Sequence, residues 1–142
     1  MIFQLDVEYD GKDKMIQDAL IHFETPEKII KDKPIMEVKT EDLDPLFLDI
    51  MKKHNLGTKI SGVRVHGMKP GSESEDPHNH QKARAAYYLQ APEGVGSLTF
   101  PDRDVIIKPH EGLLVVIPAK ERHGITKNTS DEIRLVLAFY IE

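Results

Sequence analysis

From Ile133 to Ile141 the chain alternates: Ile133, Leu135, Leu137, Phe139 and Ile141 fall at odd positions, and Arg134, Val136, Ala138 and Tyr140 at even ones. A repeat of two is the period of a β-strand, whose successive side chains point to opposite faces. The odd face predicts core packing. The even face is narrower and carries one guanidinium, which suits the inside of a small barrel holding an anionic ligand. Residues 1–9 repeat the pattern, with Phe3, Leu5, Val7 and Tyr9 on one face, and predict a half-buried first strand. Lys59 to Met68, with Ile60, Val63 and Val65, predicts another. Further strands are expected at 84–90, 97–100, 104–108, 112–117, 122–127 and 133–141. Turns at Pro92-Glu93-Gly94, Pro101-Asp102, Pro109-His110-Glu111-Gly112 and Lys127-Asn128-Thr129-Ser130 separate several of them.

Helical spacing is confined to residues 1–57. Met15, Ile16, Ala19, Leu20 and Phe23 recur with a helical period between Asp13 and Phe23, and Thr25-Pro26-Glu27 reads as the start of a short helix through Ile29 and Ile30. Asp44-Pro45 marks a further start, with Asp44 as N-cap, Pro45 at the first helical position, and Leu46, Phe47, Ile50 and Met51 on one face. Gly57 is the expected stop. The acidic stretch Ser72-Glu73-Ser74-Glu75-Asp76 reads as a solvated loop whose place before the histidines also suits a mobile rim. Many short strands with regular turns predict a mainly β domain, a sandwich, jelly roll or barrel, over residues 1–142. The helix-containing part, 1–57, is expected to pack outside the β-rich part, 58–142.

With 142 residues the chain is long enough to bury a core without staples, and it has no cysteine to form any. No basic and apolar leader opens the sequence and no stretch approaches membrane-spanning length, so a soluble cytoplasmic protein is expected. A formal charge of −5 argues against broad binding to a phosphate backbone, so nucleic acid is not an expected partner. Neither is a membrane. A small-molecule or peptide substrate is, and a homodimer is compatible with the sequence.

The candidate chemistry lies in Pro77-His78-Asn79-His80. Two imidazoles one residue apart point the same way on an extended backbone, which makes half of a metal site. His123, after the apolar run Leu113 to Ile117 and the breaker Pro118, can supply a third ligand from a distant strand. Three imidazoles suit Fe(II), Zn, Ni, Mn or Cu. If the chain stays extended beyond His80, Arg84, Ala86 and Tyr88 share the histidine face; a bulge would break that register. Bland readings stand beside these: a His-rich exposed loop for His78 and His80, a polar turn for His123, a salt bridge from Arg134 to Asp131 or Glu132, and a core tyrosine for Tyr88. His22, His54, His66 and His110 have no spaced partner and read as structural or surface residues.

Taken together, the run from Val63 to Ile141 resembles the Fe(II)/2-oxoglutarate-dependent dioxygenases, in particular prolyl- and aspartyl-hydroxylase-like members. The features that carry the resemblance are His78-Asn79-His80, Gly96-Ser97-Leu98-Thr99-Phe100, Pro109-His110-Glu111-Gly112, His123 and Arg134. It implies a double-stranded β-helix, a metal held by His78, His80 and His123, and Fe(II) with 2-oxoglutarate as co-substrate. Arg134 would take the distal carboxylate, with Tyr88 and Arg84 as further contacts. One position departs from the family, since His80 stands where most members have Asp or Glu; either His80 ligates in place of the carboxylate, or water fills the place, as the resemblance to aspartyl-hydroxylase-like members allows. A three-His set resembles instead that of the cupins, which share the β-helix; Gly112, Pro118 and His123 match a cupin spacing, but the cupin Glu is missing. A cupin-like metal protein that acts without 2-oxoglutarate, or an inert scaffold, are therefore the alternatives.

Overall fold

The structure is a computed structural model that describes residues 2–24 and 34–142. Strand β1 (Phe3–Asp6) leads into helix α1 (Lys12–Phe23), then β2 (Ile35–Glu37), a single 3-10 turn (Thr40–Asp42) and α2 (Pro45–Lys53). Eight strands follow: β3 (Ile60–Met68), β4 (Glu75–His78), β5 (Ala83–Gln90), β6 (Leu98–Phe100), β7 (Val105–Ile107), β8 (Leu113–Ile117), β9 (His123–Ile125) and β10 (Arg134–Ile141). They form two sheets, of order β1-β8-β5-β10-β3-β2 and β4-β9-β6-β7, with every pairing antiparallel. Two facing antiparallel sheets make the mainly β jelly-roll architecture expected from the strand spacing.

The alternation of β10 divides the core. Leu135, Leu137, Phe139 and Ile141 join Tyr87, Val65 and Leu114 in a cluster that also contains Ala19 and Phe23 of α1 and Phe47 and Met51 of α2. The helices thus cover the outer face of the six-stranded sheet. Val136 and Ala138 point the other way, into a second cluster with Tyr88, Val115, Leu98 and Phe100 between the sheets. The six-stranded sheet is therefore buried on both faces, which is why β8 and β10 are so densely apolar. Each fully buried Leu or Phe here contributes roughly 1.5–3 kcal/mol of transfer free energy.

Local signals act as the sequence suggests, with corrections. The Asp44 side chain accepts a hydrogen bond from the Leu46 amide at 2.9 Å, capping α2 ahead of Pro45. Gly57 does not end α2: the helix stops at Lys53, and Asn55 takes the left-handed conformation, φ 56°. Gly57 serves close approach instead, since a Cβ there would lie 2.2 Å from Ile141 Cγ2. Residues 72–76 are not wholly loop, because Glu75 and Asp76 open β4. The first strand is shorter than 1–9. The expected helix from Pro26 to Ile30 lies outside the described residues.

Candidate metal centre

His78 ends β4 and His123 begins β9, and the two are directly paired across the antiparallel ladder. Gly124 makes that pairing close: a Cβ at this position would lie 2.8 Å from the Glu75 carbonyl oxygen. After His78 the chain leaves the four-stranded sheet, turns through residues 79–82 and joins the other sheet at Ala83. The extended register from His78 to Tyr88 is thus broken at the crossing. His80 sits in this turn, where its carbonyl accepts from the Lys120 amide at 2.7 Å, tying it to the segment before His123.

The three imidazoles come together. One ring nitrogen from each of His78, His80 and His123 lies within 4.8 Å of the others, and the ring centroids are 4.6–5.4 Å apart. His78 Nδ1 faces the Asp76 carbonyl at 3.2 Å and His123 Nδ1 the Glu121 carbonyl at 3.0 Å. A carbonyl can only accept, so both rings carry their proton on Nδ1 and present the Nε2 lone pair, as backbone-oriented metal ligands do. Burial, opposed by the bond to Glu121, holds the His123 pKa below the usual imidazole range. His80 is pushed down to about 4 by burial, then by Arg84 and the neighbouring histidines. Both rings are therefore neutral near pH 7, the state in which imidazole ligates. This donor set fits a first-row divalent transition metal. Among the described residues the cluster contains no carboxylate, in keeping with His80 at the position where the resembled family has an acid.

A cavity of about 990 Å³ opens between the sheets beside the cluster, with His78, His123, Arg84, Tyr88 and Arg134 in its wall. Arg134 is 6% exposed, and its Nε is buried without a hydrogen-bond partner. It forms no ion pair with Asp131 or Glu132; its guanidinium carbon lies 5.8 Å from the centroid of the buried Tyr88 ring. Burial raises the Tyr88 pKa, an effect that Arg134 opposes. A buried guanidinium with a donor to spare, on a wall narrowed to Val136 and Ala138, fits a carboxylate.

Arg84 reaches further than the sequence suggests. Its Nη1 lies 3.0 Å from His80 Nε2 and its Nη2 lies 3.0 Å from His66 Nε2, so His66 is part of the cavity wall and not an unconnected surface histidine. Tyr140 Oη stands 3.4 Å from His80 Nδ1, and the Tyr140 ring is 5.8 Å from the Arg84 guanidinium carbon. Burial is the main cause of a lowered Arg84 pKa. A second overlooked residue is Asn128, fully buried, whose amide donates to the Met68 and Glu132 carbonyls at 2.9 and 3.1 Å. It fixes the loop between β9 and β10, and with it the spacing of His123 and Arg134. Its signal in the sequence was an ordinary turn.

No family model matches the sequence, and no curated protein matches it. Solved structures do. A viral collagen prolyl hydroxylase from Paramecium Bursaria Chlorella virus-1, in complex with 2-oxoglutarate, superposes with a TM-score of 0.71 at 18% identity, covering 98% of this chain and 93% of that one. A Pseudomonas putida prolyl-4-hydroxylase gives 0.65 at 16% identity, covering 99% and 92%. The non-heme α-ketoglutarate-dependent epimerase SnoN of nogalamycin biosynthesis gives 0.72 at 15% identity, covering 99% and 78%. The chain therefore shares the double-stranded β-helix, or jelly-roll, fold of these enzymes.

Proposed function

We propose that this protein is an Fe(II)/2-oxoglutarate-dependent oxygenase, a hydroxylase of a small-molecule or peptide substrate. The observation that carries this is one cavity lined by His78 and His123 of a three-imidazole cluster and by the buried Arg134, whose Nε has no hydrogen-bond partner. The fold shared with two prolyl hydroxylases and an α-ketoglutarate-dependent epimerase supports it. His78, His80 and His123 would hold the metal, which in such enzymes couples reduction of dioxygen to oxidative decarboxylation of the 2-oxo acid to succinate and CO₂.

The protein's own contribution is binding and orientation. Arg134 offers a planar fork to the distal carboxylate in a desolvated wall, where a charge-assisted pair is stronger than in water. Tyr88 lies beneath the guanidinium and limits its rotamers. Val136, Ala138 and Ala86 line the same cavity with small side chains, which leaves its volume to a ligand such as an extended dicarboxylate. The carbonyls of Asp76 and Glu121 hold the rings of His78 and His123 in one tautomer. Iron-loaded protein incubated with 2-oxoglutarate in air should release succinate, even without a primary substrate; no succinate and no saturable 2-oxoglutarate binding would refute the assignment.

Among the described residues the cluster contains no carboxylate, which favours one second reading, a cupin-like metal protein that does not use 2-oxoglutarate. It predicts tight metal binding with indifference to 2-oxoglutarate in both wild type and Arg134→Ala.

A further inference from the structure

Among the three imidazoles, His80 differs from the other two in where its lone pair goes. His78 and His123 direct Nδ1 to backbone carbonyls and keep Nε2 for a ligand. His80 directs Nε2 to the Arg84 guanidinium at 3.0 Å and Nδ1 to the Tyr140 hydroxyl at 3.4 Å. A guanidinium has N–H donors and no acceptor, so His80 Nε2 must be the accepting nitrogen and Nδ1 must carry the proton. A neutral imidazole has one ring lone pair. Arg84 has taken it.

We propose that Arg84 competes with the metal ion for His80 and thereby sets the affinity of the centre. The two interactions exclude each other in either tautomer. Ligation through Nε2 uses the lone pair that Arg84 now occupies, and ligation through Nδ1 moves the proton to Nε2, where it would face an Arg84 N–H. Arg84 is well held in place. Its backbone pairs with Tyr140 across the β5–β10 ladder, its guanidinium lies against the Tyr140 ring, and Nη2 keeps a second imidazole acceptor in His66. Metal binding must therefore break one charge-assisted hydrogen bond, a cost that falls on the His80 arm, and bring a divalent cation near a guanidinium, a smaller through-space cost. Arg84 is a positioning residue of the metal centre, distinct from Arg134, whose Nε has no partner. The inference rests on the three-histidine centre and is independent of the co-substrate.

Calorimetric titration of Mn(II) into metal-free wild type, Arg84→Met, His80→Ala and the double variant tests it without any turnover. Methionine keeps an unbranched apolar stem on β5 and removes the guanidinium that faces His80 and the Tyr140 ring. Arg84→Met should bind Mn(II) about tenfold more tightly than wild type, the scale of one charge-assisted hydrogen bond no longer given up. In the His80→Ala background the same change should gain about twofold or less, from relief of through-space repulsion alone. Unchanged or weaker binding by Arg84→Met, equal gains in both backgrounds, or no metal binding by any of the four proteins would overturn the proposal. A second readout needs no variant: in a Zn(II) titration of the wild type followed by NMR, the Arg84 guanidinium protons should shift in step with the His80 ring nitrogens. Ligation of His80 with Arg84 unmoved would also overturn it. A complete lack of metal binding would sink both readings; any of the other failures leaves succinate formation untouched, so the two readings fail separately.

Discussion

The six-stranded sheet carries buried side chains on both faces, whereas the four-stranded sheet is thin: β4 is almost wholly exposed and β7 buries Ile107 alone. The first is sandwiched between two helices and the second sheet, and its strands reach eight or nine residues; the strands of the second are three or four residues long. The candidate site divides along the same line. Arg134, Tyr88 and Arg84 stand on β10 and β5, where packing on both sides fixes the backbone. His78 and His123 stand on β4 and β9, placed by a ladder of two pairs, Glu75 with Ile125 and His78 with His123, and by the absence of a side chain at Gly124. The Arg134 end of the cavity is thus part of the core, and the histidine end is an attachment to it. Folding stability and metal affinity should be separable by mutation.

The largest separation is expected from His78→Ala and His123→Ala. Each removes a ligand whose lone pair is already free, so Mn(II) binding by calorimetry should fall below detection, a loss of about three orders of magnitude or more. The denaturant midpoint of the metal-free protein should barely move for His78→Ala. His80→Ala should weaken binding less, because the wild-type histidine must first part from Arg84. The converse case is Leu137→Ala, fully buried in the cluster under the helices. It should cost about 2–5 kcal/mol in urea unfolding, by lost transfer energy and an unfilled cavity, while any protein that remains folded binds Mn(II) as wild type does. A smaller effect sharpens the comparison on the thin sheet itself. Gly124→Ala puts a methyl group 2.8 Å from the Glu75 carbonyl and pushes β4 from β9, so Mn(II) affinity should drop about tenfold or more. Equal affinity in that variant would mean that the β4–β9 spacing does not matter to the ligands.

The thick sheet was also the legible one. The alternation from Ile133 to Ile141 assigns each face of β10 correctly, because both faces are buried and their difference in size survives in the sequence. Asp44-Pro45 announced α2 because capping is a local event. The thin sheet was harder to read. Glu75-Asp76-Pro77-His78 has little β propensity, yet it forms a strand at the edge of the four-stranded sheet, a place where proline and charged residues are tolerated. Gly57 carried the signal of a helix stop, but its lack of a side chain serves the approach of Ile141, a partner far along the chain. His66 and Arg84 lie on β3 and β5, two strands apart with β10 between them, and no spacing rule within one strand could join them. The histidine triplet was visible as a pattern. What was not visible was that one of its members already has a partner.

If the cavity takes 2-oxoglutarate with one end at the imidazoles and the other at Arg134, calorimetric titration of 2-oxoglutarate into Mn(II)-loaded wild type and Arg134→Gln will show it directly. Wild type should bind saturably with one site per chain. The variant, which leaves a desolvated carboxylate without its fork, should bind about 100-fold more weakly while holding Mn(II) as before. No saturable binding by wild type, or equal binding by the two proteins, would contradict the account.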